Sequence, residues 1–267
     1  MKEISKPLLK WPGGKRALLK YILPLIPDKY GTYFEPFLGG GALFFSLQPA
    51  NAILSDNNPV LINFYTQVCK ESEELIKILR NLNNNERSYY EIRNRKPSTD
   101  LRKAVRFLYL ITLSFNGIYR TNLRGEFNVP YGHKTHLKPC DPDRIREACR
   151  VLNKAKLLCS DYEFAVSTAK KGDLIYFDPP YTVAHGNNGF LKYNEKIFSW
   201  NDQVRLAQLS KDLANRGCNV IVSNAHNPSV LDLYKEFNRM EVERSSLIAA
   251  SNKFRGQIQE YIFYRVG

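Results

Sequence analysis

Leu174-Ile175-Tyr176-Phe177-Asp178-Pro179-Pro180-Tyr181 is the stretch on which the reading of this chain turns. Its first half is a short, apolar, β-prone run, the pattern of a buried strand. Its second half therefore sits at a strand's carboxyl end, where open α/β sheets place their ligands. Each proline fixes its own φ, and the first also restricts Asp178. The result is a rigid platform with a carboxylate at one end and an aromatic face at the other. A planar base can stack on Tyr181 while Asp178 accepts a hydrogen bond from an exocyclic amine. Taken alone, the tetrapeptide reads equally as a surface turn with Asp178 as an Asx-turn former.

Upstream, Thr32-Tyr33-Phe34-Glu35-Pro36 reads as a first strand running into Phe37-Leu38-Gly39-Gly40-Gly41 and a helical stretch from Ala42 to Leu47. About 20 residues after Glu35 a second strand, Asn51-Ala52-Ile53-Leu54-Ser55, ends at Asp56. This order predicts a βαβ unit for a nucleoside cofactor. Glycines let the backbone approach the ligand, and the acid takes the ribose hydroxyls. A glycine triplet by itself is also a tight turn or a helix cap; Asp56 and the flanking strands favour the cofactor reading. Downstream, Lys156 to Ser160 reads as a third strand ending at Asp161-Tyr162, Leu174 to Phe177 as the fourth and Val220 to Ser223 as the fifth. A helix is expected between the last two, with Ser199 as N-cap, Asp202 three residues on, and a stop at Gly217. Met240 to Ser246 and Gln257 to Tyr264 read as a closing β pair joined by a basic loop, Ser251 to Gly256.

From Asn57 to Arg150 the pattern turns helical and basic. Ala104, Val105, Leu108 and Ile111 recur at helical spacing among Arg102, Lys103 and Arg106. Ser114 to His136 then breaks into a polar, glycine-containing loop or hairpin, with Phe115, Tyr119, Phe127 and Tyr131 among Arg120, Arg124 and Lys134. Aromatics interleaved with cations suit nucleic acid. The same aromatics suit a small local core, and the two roles can be divided among them.

The 267 residues are 43% hydrophobic and 24% charged, as in an ordinary globular protein, and 39 cations against 26 acids give a formal charge of +13. Between Arg80 and Arg150 there are 15 Lys/Arg against 7 Asp/Glu, so about +8 of that excess lies in one quarter of the chain. Such concentration favours phosphate contacts over a generic solubility charge. Cys69, Cys140, Cys149, Cys159 and Cys218 form no zinc-spaced set, so no metal site is expected; an odd, scattered set suggests reduced thiols in the cytoplasm. The N-terminal Met1 to Trp11 has no signal-peptide core, and the apolar run Leu18 to Ile26 is short and broken by Pro24, so no membrane partner is expected. His133, His136, His185 and His226 are dispersed and read as loop or surface residues, with His226 the one expected nearest the cleft.

Lys10-Trp11-Pro12-Gly13-Gly14-Lys15, Phe37 to Gly41 and Asp178 to Tyr181, in this order, resemble the Dam family of DNA adenine-N6 methyltransferases. Phe115-Asn116-Gly117-Ile118-Tyr119-Arg120 followed by Leu123-Arg124-Gly125-Glu126-Phe127-Asn128-Val129-Pro130 resembles the target-recognition hairpin of members that methylate adenine in GATC. The resemblance spans nearly the whole chain. It implies a seven-stranded, mixed-sheet, Rossmann-like α/β methyltransferase fold with an inserted helical and β-hairpin DNA-recognition lobe. Residues 1–56 and 151–267 would form the catalytic domain and 57–150 the lobe. It also implies S-adenosyl-L-methionine as cofactor, double-stranded DNA as partner, action as a monomer, and a bacterial cytoplasmic or phage-encoded setting.

Carried over residue by residue, the family pattern puts Trp11, Lys15, Glu35, Phe37, Gly39, Gly41, Asp56, Asp161, Tyr162 and Asp178 at the cofactor. Asp178, Pro179, Pro180 and Tyr181 match the pocket for a flipped-out adenine. Phe115 matches an aromatic that inserts into the base stack, with Asn116 beside it. Arg120 matches a guanine reader, and Ile118 and Pro130 match contacts to a thymine methyl. Asn122, Arg124 and Lys134 complete the DNA-binding set. Thr121, and His133 with Lys134, depart from the pattern, which bears on flanking-base and phosphate contacts. Other readings are N4-cytosine or RNA methylation on the same fold, a nicotinamide oxidoreductase and a catalytically silent DNA-binding protein. The second is opposed by Ala42-Leu43-Phe44, which leave no Gly-x-Gly-x-x-Gly fingerprint, and the third by the intact Asp-Pro-Pro-Tyr.

Overall fold

A computed structural model of the protein describes residues 7–122, 124–182, 198–245 and 257–267. Leu123, His185, Ser246 and the expected basic loop Ser251 to Gly256 lie outside the described residues. The strands are β1 (Tyr33–Glu35), β2 (Ala52–Asp56), β3 (Ala155–Cys159), β4 (Leu174–Phe177), β5 (Asn219–Ala225), β6 (Asn238–Ser245) and β7 (Gln257–Arg265). They form one seven-stranded sheet in the order β3-β2-β1-β4-β5-β7-β6. β1 runs parallel to β2 and β4, and β4 parallel to β5. β7 runs antiparallel to β5 and β6, so the expected closing β pair is present. The mixed seven-stranded α/β sheet expected from the sequence is therefore the observed one.

The order places a topological switch between β1 and β4. The chain leaves β1 toward β2 on one side and proceeds from β4 toward β5 on the other. Ligands of open α/β sheets bind at such a point, outside the carboxyl ends of the strands. Those ends carry Phe37 after β1 and Asp178 after β4. All four residues of β4 and all seven of β5 are buried, as parallel strands covered on both faces must be.

Among the described residues the α-helices are α1 (Leu19–Ile22), α2 (Ala42–Leu47), α3 (Pro59–Lys70), α4 (Ser72–Arg80), α5 (Glu86–Asn94), α6 (Asp100–Leu113), α7 (Pro142–Leu152), α8 (Tyr162–Ala165), α9 (Trp200–Asn215) and α10 (Pro228–Leu233). Local chemistry starts them. Asn58, Asn85, Thr99 and Asp141 each accept a backbone N–H as N-caps of α3, α5, α6 and α7. The expected capping box is present at α9: Ser199 Oγ accepts from Asp202 N, and the Asp202 carboxylate accepts from Ser199 N.

The chain gathers into two compact units, Met1–Gly14 with Gly39–Gln48 and Asp56–Cys159, and Lys15–Leu38 with Pro49–Ser55 and Ser160–Gly267. The first unit is mainly helical. Leu61, Phe64, Tyr65 and Val68 of α3 pack with Ala104, Leu108 and Ile111 of α6, burying the stripe that the helical spacing predicts. In the second unit Leu206, Ala207 and Leu213 of α9 join Ile175, Phe177, Val220, Val222 and Phe263 of the sheet in one core.

Candidate active site and nucleic-acid face

In the second unit the turn after β4 is built around an ion pair. Lys15 Nζ lies 2.8 Å from Asp178 Oδ1 and 4.6 Å from the centre of the Tyr181 ring. The Lys15 side chain is only 5% exposed and that of Asp178 19%. An ammonium so enclosed persists because the carboxylate and the π-face replace its water. Lys15, expected at the cofactor, thus contacts the Asp-Pro-Pro-Tyr platform directly. Beneath the platform, Tyr176 of β4 shares a 2.8 Å hydrogen bond with Ser223 of β5. Burial, and then the negative charge of Asp178, push the Tyr176 hydroxyl well above its ordinary pKa.

The carboxyl end of β1 adds Glu35, buried and accepting 2.8 Å from the Tyr33 hydroxyl. Phe37 stacks on Tyr162 at 5.4 Å and meets Phe198 edge-on at 5.6 Å, so the three rings form one aromatic cluster. Tyr162 is buried in this cluster and donates to the Asp202 carbonyl, while Asp161 caps α8 by accepting from Glu163 N. Asp161 therefore has a local structural task as well as its expected cofactor role.

In the first unit the glycine turn wraps the Trp11 indole. A Cβ on Gly39 would lie 2.7 Å from Trp11 Cδ1, and Gly39 has φ +46°, so a side chain is excluded twice over. Tyr119 stacks on Trp11 at 5.3 Å with 15° between the planes. Asp56 Oδ2 accepts 3.0 Å from Gly39 N, Asp56 Oδ1 accepts 2.9 Å from Asn58 N, and the Tyr65 hydroxyl donates 3.0 Å to Gly39 O. Both peptide polar groups of Gly39 are thus clamped. Burial raises the Asp56 pKa, against the opposing pull of those backbone N–H groups. The acid expected to receive a ribose also shapes the turn.

Between Ser114 and His136 the described residues form an irregular antiparallel hairpin that includes the bridges Ser114↔Tyr131 and Thr121↔Phe127. The aromatics divide. Phe127 and Tyr131 are buried, with the Tyr131 hydroxyl donating 2.6 Å to Asn84 Oδ1, while Phe115 is 47% exposed. Asn116 adopts φ +56° beside it. Arg120 is exposed, and its Nε donates 2.9 Å to Asn128 Oδ1, which holds the guanidinium at one corner. Asn122 Oδ1 accepts from Arg124 N and Glu126 N, so that side chain forms the hairpin tip. Ile118 is half-buried, Pro130 and Arg124 are exposed, and Lys134 is half-buried with its ammonium 3.4 Å from the Thr112 carbonyl. Burial and then the nearby Lys10 charge lower the Lys134 pKa. Among the described residues no cluster of His, Cys, Asp and Glu could hold a metal ion, and no helix is long and apolar enough to cross a membrane.

Comparison with known proteins places this chain among the methyltransferases. The chain belongs to the family described as D12 class N6 adenine-specific DNA methyltransferase, which it matches over residues 11–248. It is similar to a type II methyltransferase of Lactococcus lactis subsp. cremoris, with 39% identity covering 98% of this chain and 96% of the relative. A type II methyltransferase of Methanocaldococcus jannaschii is 34% identical, covering 91% of this chain and 92% of the relative. The DNA adenine methylase of Escherichia coli (strain K12) is 31% identical, covering 98% and 96%. This membership bears out the Dam-family resemblance and the assignment as a DNA adenine-N6 methyltransferase.

Four participants escaped the sequence reading: Tyr65, which holds Gly39; Asn128, which holds Arg120; and the buried amides Gln203 and Asn224. Gln203 left a signal. It shares the stripe of Leu206, Ala207 and Ser210 on α9, where a polar side chain needs a buried partner.

Proposed function

We propose that the protein transfers a methyl group from S-adenosyl-L-methionine to N6 of a flipped-out adenine in duplex DNA, within GATC. The observation that carries this reading is the Asp178 carboxylate, held by Lys15 on a proline-stiffened turn at the switch point of the sheet. The donor set suits the cofactor. Asp56, already accepting backbone N–H groups of Gly39, Asn58 and Asn57, has acceptor capacity left for a ribose hydroxyl. Phe37, backed by Tyr162 and Phe198, offers an apolar face for the adenine ring. Asp161 can accept from its exocyclic amine, and Trp11, Lys15, Glu35, Gly39 and Gly41 complete the set. The cofactor supplies an activated methyl on a sulfonium, so the reading calls for no metal.

The chain's own residues supply alignment and polarity. The lone pair of the target amine is delocalised into its ring, which makes it a poor nucleophile. Asp178 accepts one of its hydrogens and the Pro179 carbonyl the other, which favours a pyramidal nitrogen. Fixing that geometry accounts for much of the acceleration. The base leaves the duplex at a cost of a few kcal/mol. Stacking on Tyr181 offsets part of this, and Phe115, exposed on the hairpin, fills the gap. Arg120, held by Asn128, presents its remaining N–H groups to guanine O6 and N7. Ile118 and Pro130 meet the thymine methyl, Asn116 and Asn122 flank the hairpin, and Arg124 and Lys134 meet phosphates. In this reading residues 57–150 are the recognition lobe, and the protein works as a cytoplasmic monomer.

The test is to incubate the protein with methyl-labelled cofactor and GATC-containing duplex, then digest the DNA to nucleosides. The label is expected in N6-methyl-2′-deoxyadenosine; label in N4-methyl-2′-deoxycytidine, or none, contradicts the reading.

A further inference from the structure

The platform has an unusual supply of backbone hydrogen bonds. Pro179 and Pro180 carry no N–H, so the middle of the turn after β4 brings carbonyls and no backbone donors. A donor from another element must fix its peptide planes. Gln203, fully buried in the first turn of α9, supplies one: its Nε2 donates 3.2 Å to the Pro180 carbonyl. Its Oε1 accepts 2.9 Å from Nδ2 of Asn224, also fully buried, at the carboxyl end of β5. Asn224 Oδ1 in turn accepts 2.8 Å from Ala225 N. The amide cannot turn over without setting two donors face to face, so the network has one sense.

The position of Gln203 is itself fixed. The Ser199–Asp202 box sets where α9 begins, and Leu206, Ala207 and Leu213 anchor its inner face in the core. The chain of restraint runs from β5 through Asn224 and Gln203 to the peptide joining Pro180 and Tyr181. That peptide orients the Tyr181 ring, over which Lys15 lies at 4.6 Å.

We infer that Gln203 is a positioning residue for methyl transfer: with Asn224 it locks the Pro180 carbonyl and so aligns Tyr181 and the Asp178–Pro179 acceptors for the target base. This role rests on the proposed adenine chemistry. Its signature is a loss in the transfer step with binding retained, because Gln203 touches neither ligand in this account.

The test compares wild type, Gln203→Met and Gln203→Glu. The readouts are single-turnover methylation of a GATC duplex at saturating cofactor, cofactor affinity by calorimetry, DNA affinity and thermal melting. Met keeps the volume and removes the donor. The transfer rate should fall roughly 100-fold, the size expected for misalignment of about 1 Å, with both affinities within about threefold of wild type. In Gln203→Glu the carboxylate repels the Pro180 carbonyl, but the protonated acid can donate to it. Its rate relative to wild type should therefore climb as pH is lowered from 8 to 6. That rise is expected from a donor role and not from loss of packing, so it decides the matter even if Gln203→Met melts early. A wild-type transfer rate in Gln203→Met, or a flat pH ratio for Gln203→Glu, overturns the inference. Wild type that methylates no adenine overturns the functional reading instead, a separate outcome.

Discussion

Lys15 and Asp178 form a nearly enclosed ion pair, 2.8 Å from nitrogen to oxygen, with the Tyr181 ring below the ammonium. Removing one member of a buried pair leaves the other charge without compensation, at a cost of about 3 kcal/mol. Lys15→Met and Asp178→Asn should each lower stability by roughly that amount in denaturant unfolding. The double variant should recover much of it, since neither charge is then stranded. Methyl transfer should stay lost in the double variant. Additive destabilisation would mean that the pair contributes nothing as a pair.

Asp56 shapes the glycine turn and, in the proposed function, holds the cofactor, so Asp56→Asn should impair both. The amide keeps one acceptor and turns a donor toward Gly39 N or Asn58 N, each now bonded at about 3.0 Å or less. A buried mismatch of this kind costs about 1–3 kcal/mol. Calorimetry should show cofactor affinity falling by about tenfold or more, the same energy on a binding scale. Unchanged affinity would remove Asp56 from the ligand.

Variants of Arg120 and Asn128 test whether base reading separates from phosphate attraction, as the proposed function requires. Arg120→Ala should cost about 1–3 kcal/mol of discrimination at one base pair while salt-dependent non-specific binding remains. Asn128→Ala, which frees the guanidinium, should relax the same position to a smaller extent. Arg124→Ala should weaken binding to every sequence alike and flatten its salt dependence. Methylation rates on duplexes substituted one position at a time check all three. An equal loss on every duplex for Arg120→Ala would make it a phosphate contact.

The thiols should label in a fixed order. Burial, with the neighbouring Cys149 thiol second, pushes the Cys69 pKa up to about 11, whereas Cys159 is exposed. The sign is plain: a raised thiol pKa withholds the reactive thiolate until pH climbs toward that value. At pH 8, alkylation followed by peptide mass mapping should find Cys159 modified well before Cys69. Early labelling of Cys69 would contradict its raised pKa.

The strands were legible because parallel, doubly covered strands are continuous apolar runs: Leu174 to Phe177 was delimited correctly, and Val220 to Ser223 fell short by a residue or two at each end. The α9 cap was legible because Ser199 and Asp202 are neighbours in sequence. The part of the site that hid consists of bonds between residues far apart in the chain, such as Tyr65 to Gly39 and Gln203 to Pro180. Composition and periodicity do not report which distant backbone groups lack a partner. Lys15 illustrates the point: its motif marked it as functional, and only the fold shows that it is paired with Asp178.

The most direct measurement is single-molecule sequencing of genomic DNA from a methylase-free bacterial host expressing either the wild type or Asp178→Ala. The account predicts modified adenines throughout GATC sites with the wild type and none with the variant. Modification of cytosine, of adenines outside GATC, or of equal extent with Asp178→Ala would contradict it.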